Sequence, residues 1–163
     1  MKKIEQLGRL LIEKKQSITA AESLTAGMFA SELANVSGIS TVFSGSFVTY
    51  SAVAKEQLVN VPMALVEEYG VVSAQVAQAM AKGAQARLKT DWAIGLTGVA
   101  GPDGLENHPA GTVYIGVSQP NGQVKTKLFN LVGDRMSVRQ QAVECGAQLI
   151  LELIGKDVTK DQN

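Results

Sequence analysis

With 163 residues, 45% of them hydrophobic and only 18% charged, the chain is long enough to bury one substantial core and too apolar to stay disordered. Fifteen Lys and Arg balance fifteen Asp and Glu, so the formal net charge is zero and no basic field gathers nucleic acid or anionic lipid; an anionic ligand must be held by local geometry. No apolar run is long enough to span a bilayer, Cys145 has no second cysteine to pair with, and the N-terminal MKKIEQLGRLLIEKK interleaves charge with apolar residues, which together read as a cytoplasmic protein.

In chain order, Ile4, Leu7, Leu11 and Ile12 recur at three- and four-residue spacing and predict an amphipathic helix over residues 2–15. Ser17 to Ala21 reads as a short extended stretch. Leu24 to Val36 again carries helical spacing through Met28, Leu33 and Ala34, which puts a strand-to-helix junction at Ser23. Gly38 ends that pattern, and Val42 to Tyr50, rich in β-branched and aromatic residues, reads as a second strand. A short helix is expected from Ser51 to Leu58, and another opens at Pro62 and closes at Gly70. Ser73 then caps a long alanine-rich helix running to Lys89, with Val76, Ala79, Met80 and Ala84 inward. Trp92 to Leu96 has the composition of a buried strand and leads into the loop TGVAGPDGLENHPAG. Thr112 to Ser118 and Val124 to Leu131 flank a Pro-Asn-Gly turn and predict a hairpin. The last helix runs from Asp134 to Ile154 and leaves residues 155–163 as a frayed tail. Helices alternating with strands, followed by a hairpin, give a single-domain α/β fold: a three-layer α/β/α sandwich with a mixed sheet.

The inventory of reactive side chains narrows the chemistry. Cys145 lies on the apolar stripe Val138, Ala142, Cys145, Leu149, Leu153 and reads as core, not as a nucleophile. His108 is the only histidine, so a Ser-His-Asp triad or a metal cluster would rest on one imidazole in a Gly/Pro loop. Gly95, Gly98 and Gly101 are spaced G-x-x-G-x-x-G with Pro102 following, which is neither the dinucleotide fingerprint nor a P-loop. Those glycines either build a tight turn or let a ligand approach the carboxyl end of a strand.

Hydroxyl and amine chemistry remains. Ser23, in the strand-to-helix turn, is either an N-cap or a hydroxyl at the sheet edge facing backbone N–H groups that suit an oxyanion; Thr25 is an equally good cap. Lys55 is either a solvated lysine on an amphipathic helix or, if burial lowers its pKa, a base for that serine. Tyr50, at a strand end, either orients the proton or packs.

These residues lie in a pattern that resembles the CinA C-terminal domain family: TAAESLTAG, FSGSFVTYSAVAKEQL, YGVVSAQVAQAMAKGA, GLTGVAGPDG, PAGTVYIGV and GDRMSVRQQA follow one another over nearly the whole chain. The resemblance implies an α/β/α sandwich and, in stand-alone members, hydrolysis of the carboxamide of nicotinamide mononucleotide to nicotinate mononucleotide and ammonia, with neither metal nor cofactor. It makes Ser23 the nucleophile, Lys55 its base and Tyr50 a supporting member of the proton network. Gly45, Thr97 and Gly98 would line the ligand pocket, and Arg135, with Arg139 one turn later, would bind the substrate's anionic end. Leu24 stands where the family has Cys, and Ala26 where it commonly has Gly. The alternatives are a non-catalytic adaptor associated with competence and damage responses, or a hydrolase of another small amide. Partners are then the mononucleotide and, through the Ala/Gly-rich helix 73–89, a second copy in a homodimer, with neither nucleic acid nor membrane.

Overall fold

A computed structural model describes residues 1–160. Its elements are α1 (Lys3–Lys14), β1 (Ile18–Glu22), α2 (Met28–Leu33), β2 (Phe47–Val48), α3 (Ala52–Val59), α4 (Met63–Tyr69), α5 (Ala74–Leu88), β3 (Trp92–Gly98), β4 (Thr112–Ser118), β5 (Val124–Asn130) and α6 (Arg135–Lys160). The sheet order is β2-β1-β3-β4-β5, parallel across the first three strands and antiparallel across the last three. This is the mixed sheet expected of the sequence. On one face α1, α2 and α6 bury Leu7, Phe29, Leu33, Ala142 and Ile150 against Ile18, Trp92, Ile94 and Ile115. On the other, α5 crosses β1, β3 and β4, with α3 and α4 packed beside it.

Glycines set how closely α5 lies on the sheet. A Cβ on Gly95 would stand 2.4 Å from Ala77 O, and one on Gly116 would stand 2.7 Å from the same oxygen. The helix backbone therefore rests on strand backbone, and Val76, Ala77, Met80, Ala81 and Ala84 are all buried there. The small residues of α5 thus serve an internal contact.

Three elements depart from expectation. The helix expected over Leu24 to Val36 begins only at Met28, because Ala26 (φ +47°) and Gly27 (φ +93°) are both left-handed and make residues 24–27 a turn. The strand expected over Val42 to Tyr50 shrinks to Phe47–Val48. A 3₁₀ turn occupies Ile39–Thr41, Phe43 makes an isolated bridge to Ile18, and Ser44-Gly45-Ser46 offers little side chain to pack. At the other end of the chain α6 continues past Ile154 to Lys160, and residues 161–163 of the expected tail lie outside the described residues. Cys145 is half-buried, packed against the edge of the core, and burial pushes its thiol pKa up.

Candidate active site

Ser23 directly follows β1 and extends its pairing, its N–H donating to Leu96 O at 3.0 Å. This places the hydroxyl at the carboxyl ends of the parallel strands β1 and β3, where open α/β sheets hold ligands. It does not cap α2. That service comes from Glu22, fully buried, whose carboxylate accepts from the N–H groups of Phe29 at 2.8 Å and Ala30 at 3.2 Å. Glu22 thus occupies the helix-start N–H groups that the sequence suggested for an oxyanion. Thr25 caps nothing either: its buried Oγ1 has no hydrogen-bond partner.

Lys55 arrives from α3, whose first turn is set by Ser51 Oγ accepting from Ala54 N–H at 3.0 Å. The lysine is 1% exposed, on the same face as buried Val59. Its Nζ donates to Ser23 Oγ at 3.0 Å and to Thr49 O at 2.8 Å. Thr49 is itself fixed, its N–H donating to Glu22 O at 2.8 Å, so the carbonyl that anchors the amine is tied to the strand that carries the serine. Burial lowers the Lys55 pKa to about 8, while the Glu106 carboxylate acts in the opposite direction. Glu106 is held by Val71 N–H, 3.0 Å from each carboxylate oxygen, at the junction of α4 and α5.

A cavity of about 360 Å³ opens onto the Ser23 member of this pair. Ser23, Leu24, Tyr50, Thr97, Gly98 and Arg135 line it, with Val71, Val72, Val99, Ala100 and Leu105 adding an apolar wall and Asp103 a carboxylate. Thr97 holds the wall in place by donating to Val71 O at 2.7 Å. Gly98 lies where a Cβ would stand 2.5 Å from Thr112 O. Arg135 donates to Gly101 O at 2.7 Å and to the Tyr50 hydroxyl at 3.0 Å, and among the described residues it has no carboxylate partner.

The structure therefore brings Ser23, Tyr50, Thr97, Gly98 and Arg135 to one cavity, with Lys55 buried outside its lining and joined to it through the Ser23 hydroxyl. Tyr50 differs in detail, because its hydroxyl accepts from Arg135, while only its backbone carbonyl, 3.5 Å from Ser23 Oγ, reaches the dyad. Gly45 and Arg139 do not line the cavity. Gly45 precedes β2, where its carbonyl accepts from Thr19 Oγ1 at 2.9 Å, toward the opposite end of β1 from Ser23. Arg139 turns onto backbone, donating to Leu24 O at 2.9 Å and Thr25 O at 3.1 Å. His108 stacks edge-on against Tyr114, its ring centroid 6.2 Å away. Sequence reasoning missed Glu22, Thr49 O and Glu106. Only Glu22 carried a signal, as a carboxylate in an otherwise apolar strand.

Among the described residues, no helix is long and apolar enough to cross a membrane, and no cluster of His, Cys, Asp or Glu could hold a metal ion. Residues 1–154 match the CinA C-terminal domain family. A "Putative competence-damage inducible protein" of Lactiplantibacillus plantarum is 49% identical over 147 residues, 90% of this chain but 35% of that protein. One of the same name from Limosilactobacillus fermentum is 52% identical over 145 residues, 88% of this chain and 35% of that protein. The chain thus spans about a third of the length of these curated relatives. Among solved structures, a CinA superfamily protein from Escherichia coli superposes with TM-score 0.88 at 34% identity, covering 93% of this chain and 88% of that one. A superfamily protein from Klebsiella pneumoniae gives TM-score 0.91 at 30% identity, covering 94% and 96%.

Proposed function

This chain belongs to the CinA C-terminal domain family, and from that premise we propose that it is a serine amidohydrolase that converts nicotinamide mononucleotide to nicotinate mononucleotide and ammonia. The observation that carries the reading is the 3.0 Å contact between Lys55 Nζ and the hydroxyl of Ser23, a residue that lines the cavity. A lysine that titrates near 8 is about one-tenth neutral at pH 7, several hundredfold more than one left at 10.5. The neutral amine takes the hydroxyl proton as Oγ attacks the carboxamide carbon. It returns that proton to the departing nitrogen as the C–N bond breaks, releasing ammonia and leaving an acyl-serine. Water, deprotonated by the same amine, attacks the ester carbon, and collapse frees the carboxylate and restores the hydroxyl.

Substrate preference follows from the rim and the wall. Arg135 has only neutral partners, and its forked guanidinium suits a phosphate. Val71, Val72, Val99 and Leu105 offer an apolar surface to a flat ring, and the cavity volume lies within the ~300–1,000 Å³ of small-molecule sites. The test is ammonia release from a panel: nicotinamide mononucleotide, its riboside, free nicotinamide, and unrelated small amides. The mononucleotide is expected to be cleaved best, with Ser23→Ala and Lys55→Ala at least ~10³-fold slower. Release from none of the panel, or equal release by Ser23→Ala, overturns the reading. Cleavage confined to an unrelated amide retains the dyad and rejects the substrate.

A further inference from the structure

The nucleophile turn has a feature that the dyad does not use. Its carbonyls are held from α6, with Arg139 Nε on Leu24 O at 2.9 Å and Arg139 Nη2 on Thr25 O at 3.1 Å. Its N–H groups are divided. That of Ala26 donates to Ser23 O at 3.1 Å, whereas those of Leu24 and Thr25 have no hydrogen-bond partner among the described residues. Leu24, with Ser23, lines the cavity.

We propose that Arg139 is a positioning residue that holds this turn so that the N–H groups of Leu24 and Thr25 receive the oxyanion formed when Ser23 attacks an amide carbonyl. In a trans peptide the N–H points opposite to the C=O, so clamping Leu24 O onto the guanidinium fixes the Thr25 N–H on the side away from Arg139. A cation on the carbonyl also polarises the peptide unit and makes its N–H a stronger donor. Ala26, left-handed at φ +47° without being glycine, marks a turn that relaxes unless it is held from outside. Glu22 holds it at the α2 end and Arg139 at the other. The helix-start N–H groups are already bonded to Glu22 and cannot serve. The inference rests on the amidase reading and adds to it a function for Arg139 distinct from that of Arg135.

The test compares kinetics on nicotinamide mononucleotide for Arg139→Met, Arg139→Lys and Arg135→Met. Arg139→Met is expected to lower kcat by about 10²-fold, in the range of a lost oxyanion donor, with KM and the acid limb of the pH profile unchanged. Arg139→Lys keeps a cation near one carbonyl and recovers part of the loss. Arg135→Met instead raises KM. A second variant deletes the donor: joining Leu24 to the α-hydroxy analogue of Thr25 makes the linkage an ester, which removes that N–H, leaves Leu24 O a weaker acceptor for Arg139, and is expected to cost about 10–10³-fold in kcat. This variant carries the test should Arg139→Met fail to fold. A kcat within about twofold of wild type in Arg139→Met or in the ester protein, or a KM increase matching that of Arg135→Met, overturns the proposal. A wild-type protein that releases no ammonia from any amide removes the amidase reading and this inference with it, and that control separates the two failures.

Discussion

Lys55 sets both the chemistry of the site and a stability cost. Its amine titrates near 8 in the folded chain and near 10.5 when free of it, so between those values the unfolded chain binds a proton that the folded one does not. Stability from this group therefore rises with pH through that window, and below pH 8 the full penalty, about 3 kcal/mol, is present. Lys55→Met is expected to be more stable than wild type at pH 7 by up to about that amount, less what the lost bonds to Ser23 and Thr49 contributed. The gap narrows as pH rises from 8 toward 10.5. Denaturant titrations at pH 7 and pH 10 measure it, and a gap that does not narrow contradicts the depressed pKa. Catalysis shows the other side of the same titration: kcat/KM is expected to climb with unit slope to about pH 8 and then level. Glu106→Gln removes the charge that opposes the shift while keeping an acceptor for Val71 N–H, so the acid limb moves to lower pH and activity at pH 7 increases. An unmoved limb in the pH–rate profile would exclude that electrostatic coupling.

The position of α3 decides whether Lys55 meets Ser23, and α3 is positioned by α5. A Cβ on Gly83 would stand 1.7 Å from Val59 O, so the two helices meet backbone to backbone, one turn along from the lysine. Gly83→Ala must push α3 outward, at an expected cost of about 1–3 kcal/mol, and should lower kcat by at least ~10-fold through a longer Lys55–Ser23 separation. Thermal unfolding and steady-state kinetics on one preparation check both, and a variant destabilised but fully active would show that α3 can move without the dyad opening. The elements legible in the sequence are those whose signals are local. Ser51 and Ser73 both cap helices, Gly70 closes α4 with φ +79°, and the apolar spacing of α1 gives buried Ile4, Leu7 and Leu11. By contrast α2 and β2 were misread for a shared reason. Glu22 caps α2 from within β1, Ala26 adopts a conformation no motif demands of alanine, and the register of β2 is set by Ala21 and Glu22 far upstream. The dyad residues could be reached by eliminating other chemistry and by the ordered motifs. Thr49 O and Arg139 could not be placed, because they act through backbone carbonyls, and a carbonyl has no residue type.

At the scale of the whole molecule, the cavity is a junction of segments distant in the chain. Tyr50 comes from the stretch after β2, Gly101 from the loop after β3, and Arg135 from the start of α6, and the one guanidinium bonds to both of the others. With zero net charge the protein offers no long-range attraction to a phosphate, so this local junction must supply the binding. A mononucleotide seated there would bridge the parallel half of the sheet to α6 and resist their separation on unfolding. Ser23→Ala protein, which binds without turnover, is expected to gain about 2.7 kcal/mol at a ligand concentration a hundred times Kd. For a chain of this size that corresponds to a Tm increase of about 5–10 °C. Adding Arg135→Met in that background should remove most of the increase at the same concentration, whereas the riboside, which lacks phosphate, should shift both proteins alike. Equal shifts by the mononucleotide in the two proteins would detach phosphate recognition from Arg135 and leave it a strut between Tyr50 and the loop.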